Sequence, residues 1–119
     1  VEVKISLGPR KNKTIKFHYV QLRPNHEKID NYILTGYHLT EDNRKSRGEL
    51  YIFKITKEDL KLLILEFGSY SHGTKKVHGP ITAESLKLSD NTCEYSLRPV
   101  YGKELWEKLL KFRIQECSL

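Results

Sequence analysis

The chain has no methionine, and only two cysteines, one tryptophan and four prolines among its 119 residues. Two isolated thiols, Cys93 and Cys117, cannot form the disulfide framework that small secreted domains use, neither belongs to a Cys-x-x-Cys pair, and their spacing offers no zinc site. They read as reduced thiols of an intracellular protein, cytoplasmic or nuclear. No window approaches eighteen consecutive apolar residues, which excludes a transmembrane helix. The opening Val1-Glu-Val-Lys-Ile-Ser-Leu7 alternates where a signal peptide would carry an unbroken apolar block. The triplet Asn12-Lys-Thr14 fits the glycosylation acceptor pattern, which matters only for a secreted chain. Methionine is missing at position 1 too, so we expect a segment of a longer protein, folded over residues 1–119 as a single basic domain of ordinary size.

Acid is also scarce where base is abundant. Gly68 to Pro80 holds no Asp or Glu, yet carries His72, His78, Lys75 and Lys76 on turn-forming residues. Before Pro24, Lys4, Arg10, Lys11, Lys13, Lys16 and Arg23 face Glu2 alone, and Arg44, Lys45 and Arg47 cluster just after Glu41 and Asp42. With a formal charge of +6, the chain is one that nucleic acid or an anionic membrane attracts.

What remains is a foldable pattern. Val1, Val3, Ile5 and Leu7 alternate with polar residues and predict a half-buried strand. Ile15, Phe17 and Tyr19 alternate in a second, where Val20 and Leu22 switch face as at a bulge. The basic turn 10–13 is expected to join the two as a hairpin. Asn31–Leu39 and Glu49–Ile55 predict two more strands. Thr56 to Phe67 reads as a helix, with Thr56 as N-cap, Asp59 three residues on, Leu60, Leu63, Ile64 and Phe67 on one face broadened by Leu62 and Leu65, and Gly68 as a left-handed cap. Leu86 with Leu88, then Cys93, Tyr95 and Leu97, suggest two short strands, although Thr82 could instead cap a helical turn through Ser85. Lys103 to Ile114 predicts an amphipathic helix with Glu104–Lys108 and Glu107–Lys111 pairs. The expectation is an α+β fold: one curved antiparallel sheet of about six strands, barrel-like at its most curved, with a mid-chain helix and a C-terminal helix. If Leu60 to Phe67 were a strand, the order of elements would resemble a pleckstrin-homology barrel. That resemblance implies a module for phosphoinositides or acidic peptides.

Three chemistries compete. His38-Leu-Thr40 and His72-Gly-Thr74 share the form His-x-Thr, which resembles the paired motif of the 2H phosphoesterases. The resemblance spans six residues and implies a small phosphodiester-cleaving enzyme in which His38 and His72 divide general acid and base duty. Glu2-Val-Lys4 has the spacing of a strand-borne carboxylate and lysine in a metal nuclease but lacks the further acid such a centre needs. Binding is the better supported class. Arg10, Lys11, Lys13, Lys75 and Lys76 are candidates for phosphate, Arg44, Arg47, Tyr70 and His72 for reading bases, Lys45 and His78 for further contacts to the nucleic acid, and no residue takes a catalytic role. No cofactor or metal is implied. The partner expected is nucleic acid, duplex DNA before RNA, met as the recognition module of a larger DNA-processing protein. The repeated Leu-Arg-Pro at 22–24 and 97–99 raises the further expectation that Arg23 and Arg98 face one anion.

Overall fold

The protein's structure, a computed structural model, describes residues 2–8, 15–39, 48–74, 79–89 and 93–114. Along the chain run β1 (Glu2–Gly8), β2 (Tyr19–Leu22), β3 (Asn31–Leu39), β4 (Gly48–Thr56), α1 (Lys57–Phe67), β5 (Ser69–Tyr70), α2 (Ala83–Leu88), β6 (Tyr95–Leu97) and α3 (Glu104–Leu110). The fold is α+β as expected, but the described strands divide into two three-stranded sheets, β1-β3-β4 and β2-β6-β5, rather than one curved sheet or a barrel.

The N-terminal hairpin does not form. β1 instead pairs parallel with β3, from Glu2 opposite Tyr32 to Gly8 opposite His38, and β3 pairs antiparallel with β4. Parallel neighbours need a crossover of a dozen or more residues. Here the intervening chain supplies it, with β2 lying in the other layer, where Tyr19 pairs with Leu97 and Leu22 with Tyr95. The bulge expected near Val20 is present: the register shifts between Tyr19 and Leu22, and Gln21 takes a left-handed φ of 57°.

The two sheets and the helices enclose one core. Phe17, Tyr19, Tyr32, Leu34, Phe53, Ile55, Leu60, Ile64 and Trp106 are almost wholly buried. Trp106 on α3 meets Tyr51 edge-on at 4.9 Å and lies 6.1 Å from the Phe17 ring. Phe17 lies directly over Gly36, where a Cβ would come within 2.3 Å of its ring, so β3 can be crossed there only because residue 36 has no side chain.

α1 starts as its sequence dictates, with the Asp59 N–H donating to Thr56 Oγ1 at 3.2 Å and Glu58 and Asp59 at the positive end of the helix. Leu60, Leu63 and Ile64 are buried, whereas Leu62 and Leu65 point outward instead of widening the packed face. Gly68 is not left-handed: its φ is −79°, its N–H donates to Ile64 O at 2.8 Å, and a Cβ there would sit 2.7 Å from that oxygen. Close approach, not handedness, requires glycine. Residues 83–88 form a helix where Leu86 and Leu88 suggested a strand, because Thr82 and Ser85 close a reciprocal capping box. α3 ends at Leu110 rather than Ile114, and the chain then adds to the edge of β4, with Lys54 N–H donating to Phe112 O and Ile114 N–H to Ile52 O. Lys108 reaches Glu66 on α1 at 2.6 Å instead of pairing with Glu104 along its own helix. Among the described residues no helix is long and apolar enough to cross a membrane.

Candidate nucleic-acid interface

The ladder between β2 and β6 continues beyond both strands. Tyr101 N–H donates to Ile15 O at 2.9 Å, Lys16 bridges to Val100, and Phe17 N–H donates to Pro99 O at 3.0 Å. One antiparallel register therefore holds from Ile15 opposite Tyr101 to Tyr19 opposite Leu97. Because side chains alternate across a strand, Ile15, Phe17 and Tyr19 enter the core with Leu97, while Lys16, His18 and Arg98 share the opposite, exposed face.

On that face Arg98 Nε donates to His18 Nε2 at 3.2 Å. Burial first, and then the Arg98 charge, lower the His18 pKa below its ordinary value, so the imidazole is neutral at pH 7 and can accept this bond. Beside them lies a groove of about 270 Å³ to which Arg98, Lys103, Ser69 and Glu104 contribute polar groups and Phe67 and Leu105 apolar ones. Among the described residues, no carboxylate pairs with Lys16, Arg98 or Lys103. These cations keep their charge available to a ligand. Tyr101, opposite Ile15 and 59% exposed, lies across the ladder from these cations and rests 5.9 Å from Trp106.

Of the residues singled out from the sequence, Arg10, Lys11, Lys13, Arg44, Lys45, Arg47, Lys75, Lys76 and His78 lie outside the described residues, as does the Asn12 triplet. The anchors of their segments are described. Gly8 is in register with His38, and Leu39 with Gly48, so the segments 9–14 and 40–47 both leave from one end of the first sheet. The first of them leads directly into Lys16. The segment containing Lys75, Lys76 and His78 leaves from the other end. Its flank is fixed by Ser71 N–H and Thr74 Oγ1 donating to Glu94 O, beside Arg23, whose own carbonyl accepts from Tyr32 Oη near the start of β3. The described anchors of two of the three basic segments thus share one end, and the anchor of the third stands at the other.

Tyr70 and His72 are described and differ. His72 is exposed in the turn after Ser71. Tyr70 is half-buried, stacked on Tyr95 at 5.3 Å with its hydroxyl donating to Gly79 O at 2.6 Å, so it closes the base of its loop. Arg23 and Arg98 do not face one anion, since Arg23 pairs with Glu94 at 3.5 Å and Arg98 with His18. Nor are the two His-x-Thr histidines brought together. His38 is 93% buried on β3 at the end where segment 40–47 departs, while His72 sits by β5 at the far end. Glu2 and Lys4 pair with each other at 3.1 Å, and no group of three or more His, Cys, Asp or Glu converges among the described residues. Cys93 is buried.

Sequence reasoning missed Lys16, His18, Arg98 and Lys103 as a set. Lys16 and His18 alternate with core residues, and that period was the available signal. Their strand partner lies eighty residues away, which no local pattern reveals. Neither a protein-family model, a curated protein nor a solved structure matches this chain.

Proposed function

We propose that this chain is a nucleic-acid-binding module that takes duplex DNA against the Lys16–His18–Arg98 face, as the recognition part of a larger DNA-processing protein inside the cell. The observation that carries the reading is the union, on one exposed face, of three side chains from strands distant in sequence, with no carboxylate engaging the cations among the described residues. Lys16 and Lys103 supply point charges for backbone phosphates. Arg98 offers a planar guanidinium suited to a phosphate or a guanine edge. Arg10, Lys11 and Lys13 precede Lys16 in the sequence, and Arg44, Lys45 and Arg47 fall in the sequence between Leu39 and Gly48, whose pairing stands at the same end of the sheet as Gly8. The exposed sheet face favours groove and backbone contact over base stacking, because Tyr101 lies across the ladder from it; this supports DNA before single-stranded RNA.

Fluorescence anisotropy of a labelled duplex across a salt series tests the reading. Each phosphate neutralised contributes about 0.9 to the log–log salt slope, so replacing Lys16, Arg98 and Lys103 together by Ala should flatten it by about 2 to 3. Replacing Lys75 and Lys76, whose segment is anchored at the far end, should change it by less. An unchanged slope in the triple variant, or binding to phosphoinositide vesicles with none to DNA, would overturn the proposal, and the second result would favour the phosphoinositide module.

A further inference from the structure

The groove beside Arg98 differs in character from the exposed face it adjoins. Its floor is apolar, built by Phe67 at the end of α1, Val100 on the ladder and Leu105 on α3, the last only 5% exposed. Lys108 Nζ stands 5.3 Å over the Phe67 ring but does not line the groove, so the ring keeps a side for it. Arg98, Lys103 and Glu104 supply charges around this floor, and Ser69 supplies a hydroxyl. Arg98 directs its Nε to His18. Its terminal guanidinium nitrogens, the Lys103 ammonium and the Glu104 carboxylate have no partner among the described residues.

An apolar floor, two cations and one carboxylate make an unusual combination. A groove for phosphate alone has no use for a carboxylate, which repels the anion. One for a purely apolar ligand has no use for charges that lose water when it is filled. A nucleotide carries all three complements in one molecule: an aromatic base to lie on the floor, a phosphate for Arg98 and Lys103, and, on cytosine or adenine, an exocyclic amine that donates to a carboxylate.

We propose that the groove takes a single nucleotide with an amino-bearing base, cytosine fitting best. Its volume of about 270 Å³ falls just below the clefts of about 300–1,000 Å³ that enclose drug-sized ligands, so it holds one nucleotide and favours a pyrimidine over the larger purine. Two sources present this chemistry: a nucleotide unstacked from DNA, and a free nucleoside monophosphate. The first rests on the reading of the basic face as a DNA surface, because Lys16, paired with Val100 across the ladder, stands beside the groove to hold the flanking backbone. A bulged base enters at lower cost than a paired one, since no base pair has to be broken.

Two titrations test it. By fluorescence anisotropy, a duplex with one bulged deoxycytidine should bind about tenfold more tightly than its fully paired counterpart. By NMR, deoxycytidine monophosphate should shift the backbone amides of Ser69, Arg98 and Lys103. Thymidine monophosphate, which turns a carbonyl toward Glu104, and deoxyribose phosphate, which has no base, should each bind about tenfold more weakly. Ser69→Trp, at an exposed position on β5, fills the groove and should abolish both effects, while Glu104→Ala should abolish the preference for deoxycytidine over thymidine; circular dichroism checks that each variant is folded. Nucleotide binding without duplex affinity would support the groove, assign it the free nucleotide and overturn only the DNA reading. A bulge preference without free-nucleotide binding would support the unstacked source. No bulge preference together with no nucleotide binding, equal binding of deoxyribose phosphate, or effects untouched by Ser69→Trp would each overturn the proposal.

Discussion

Gly36→Ala probes the contact on which the basic face is mounted. The added methyl would lie 2.3 to 2.5 Å from three carbons of the Phe17 ring, where carbon atoms need about 3.5–4.0 Å. The ring must retreat by more than 1 Å on the order of magnitude set by that contact distance, but it is 2% exposed and hemmed in by Tyr19, Tyr51 and Trp106 at centroid separations of 6.0 to 6.2 Å. Overpacking of this kind costs about 1–3 kcal/mol, and a rigid ring in a four-ring cluster belongs at the upper end. At about 2.1 cal/mol/K of unfolding entropy per residue, 119 residues give about 0.25 kcal/mol/K, so a loss of about 3 kcal/mol lowers Tm by about 12 °C. Scanning calorimetry measures this directly. Combining the substitution with Phe17→Leu, which removes the clashing ring carbons, should cost about 1–2 kcal/mol less than the sum of the two changes. A fall in Tm of under about 3 °C, or strict additivity in the double variant, would refute the seating of Phe17 on Gly36. Lys16 and His18 flank Phe17, so the same substitution should also weaken DNA binding at temperatures where the variant is still folded.

Two further outcomes follow from titration. His18 should titrate by NMR below its ordinary value near 6.5, because burial and then Arg98 disfavour its cation; Arg98→Ala should move it partway up. Its contribution to stability is present above that value and is lost as pH falls, and a wild-type His18 titrating at or above 6.5 would contradict the geometry. At alkaline pH, burial raises Tyr19, Tyr95, Tyr32 and Tyr51, the last two to about 12, with the Glu2 and Asp30 charges adding to Tyr32 and the Glu49 hydrogen bond to Tyr51. These folded values exceed the unfolded value near 10, so the stabilisation holds below pH 10 and is lost above it. Four of the seven tyrosines should ionise only as the fold is lost, and a single smooth phenolate transition with the fold intact would count against this core.

The parts of the fold legible in the sequence are those decided by neighbours in the chain. Thr56 and Asp59 specify the start of α1 through a contact three residues long. The bulge at Gln21 is written in the switch of face between Tyr19 and Leu22. α2 was harder because a helix of six residues shows too little periodicity to outweigh Leu86 and Leu88 at alternate positions, and the decisive signal was the Thr82–Ser85 capping box. The N-terminal hairpin failed as a reading for another reason. Alternation shows that a strand has two faces, but not which one turns inward or which strand it meets. β1 buries the polar side of its alternation and pairs with a strand reached only after a crossover.

The same distinction explains the candidate site. Basic turns stand out in a sequence because their charges are contiguous, yet a turn's charge acquires a direction only from the elements that anchor it. The anchors Gly8, Leu39 and Gly48 stand at one end of the first sheet, and the anchors Thr74 and Gly79 at the other. Charges on strands are dispersed in sequence but fixed in direction. Lys16 and His18 must share a face because they are two residues apart, and the ladder from Ile15 to Tyr101 brings Arg98 opposite His18. Three dispersed residues on one ladder thus define an oriented basic face, with Phe17 locked against Gly36 behind it.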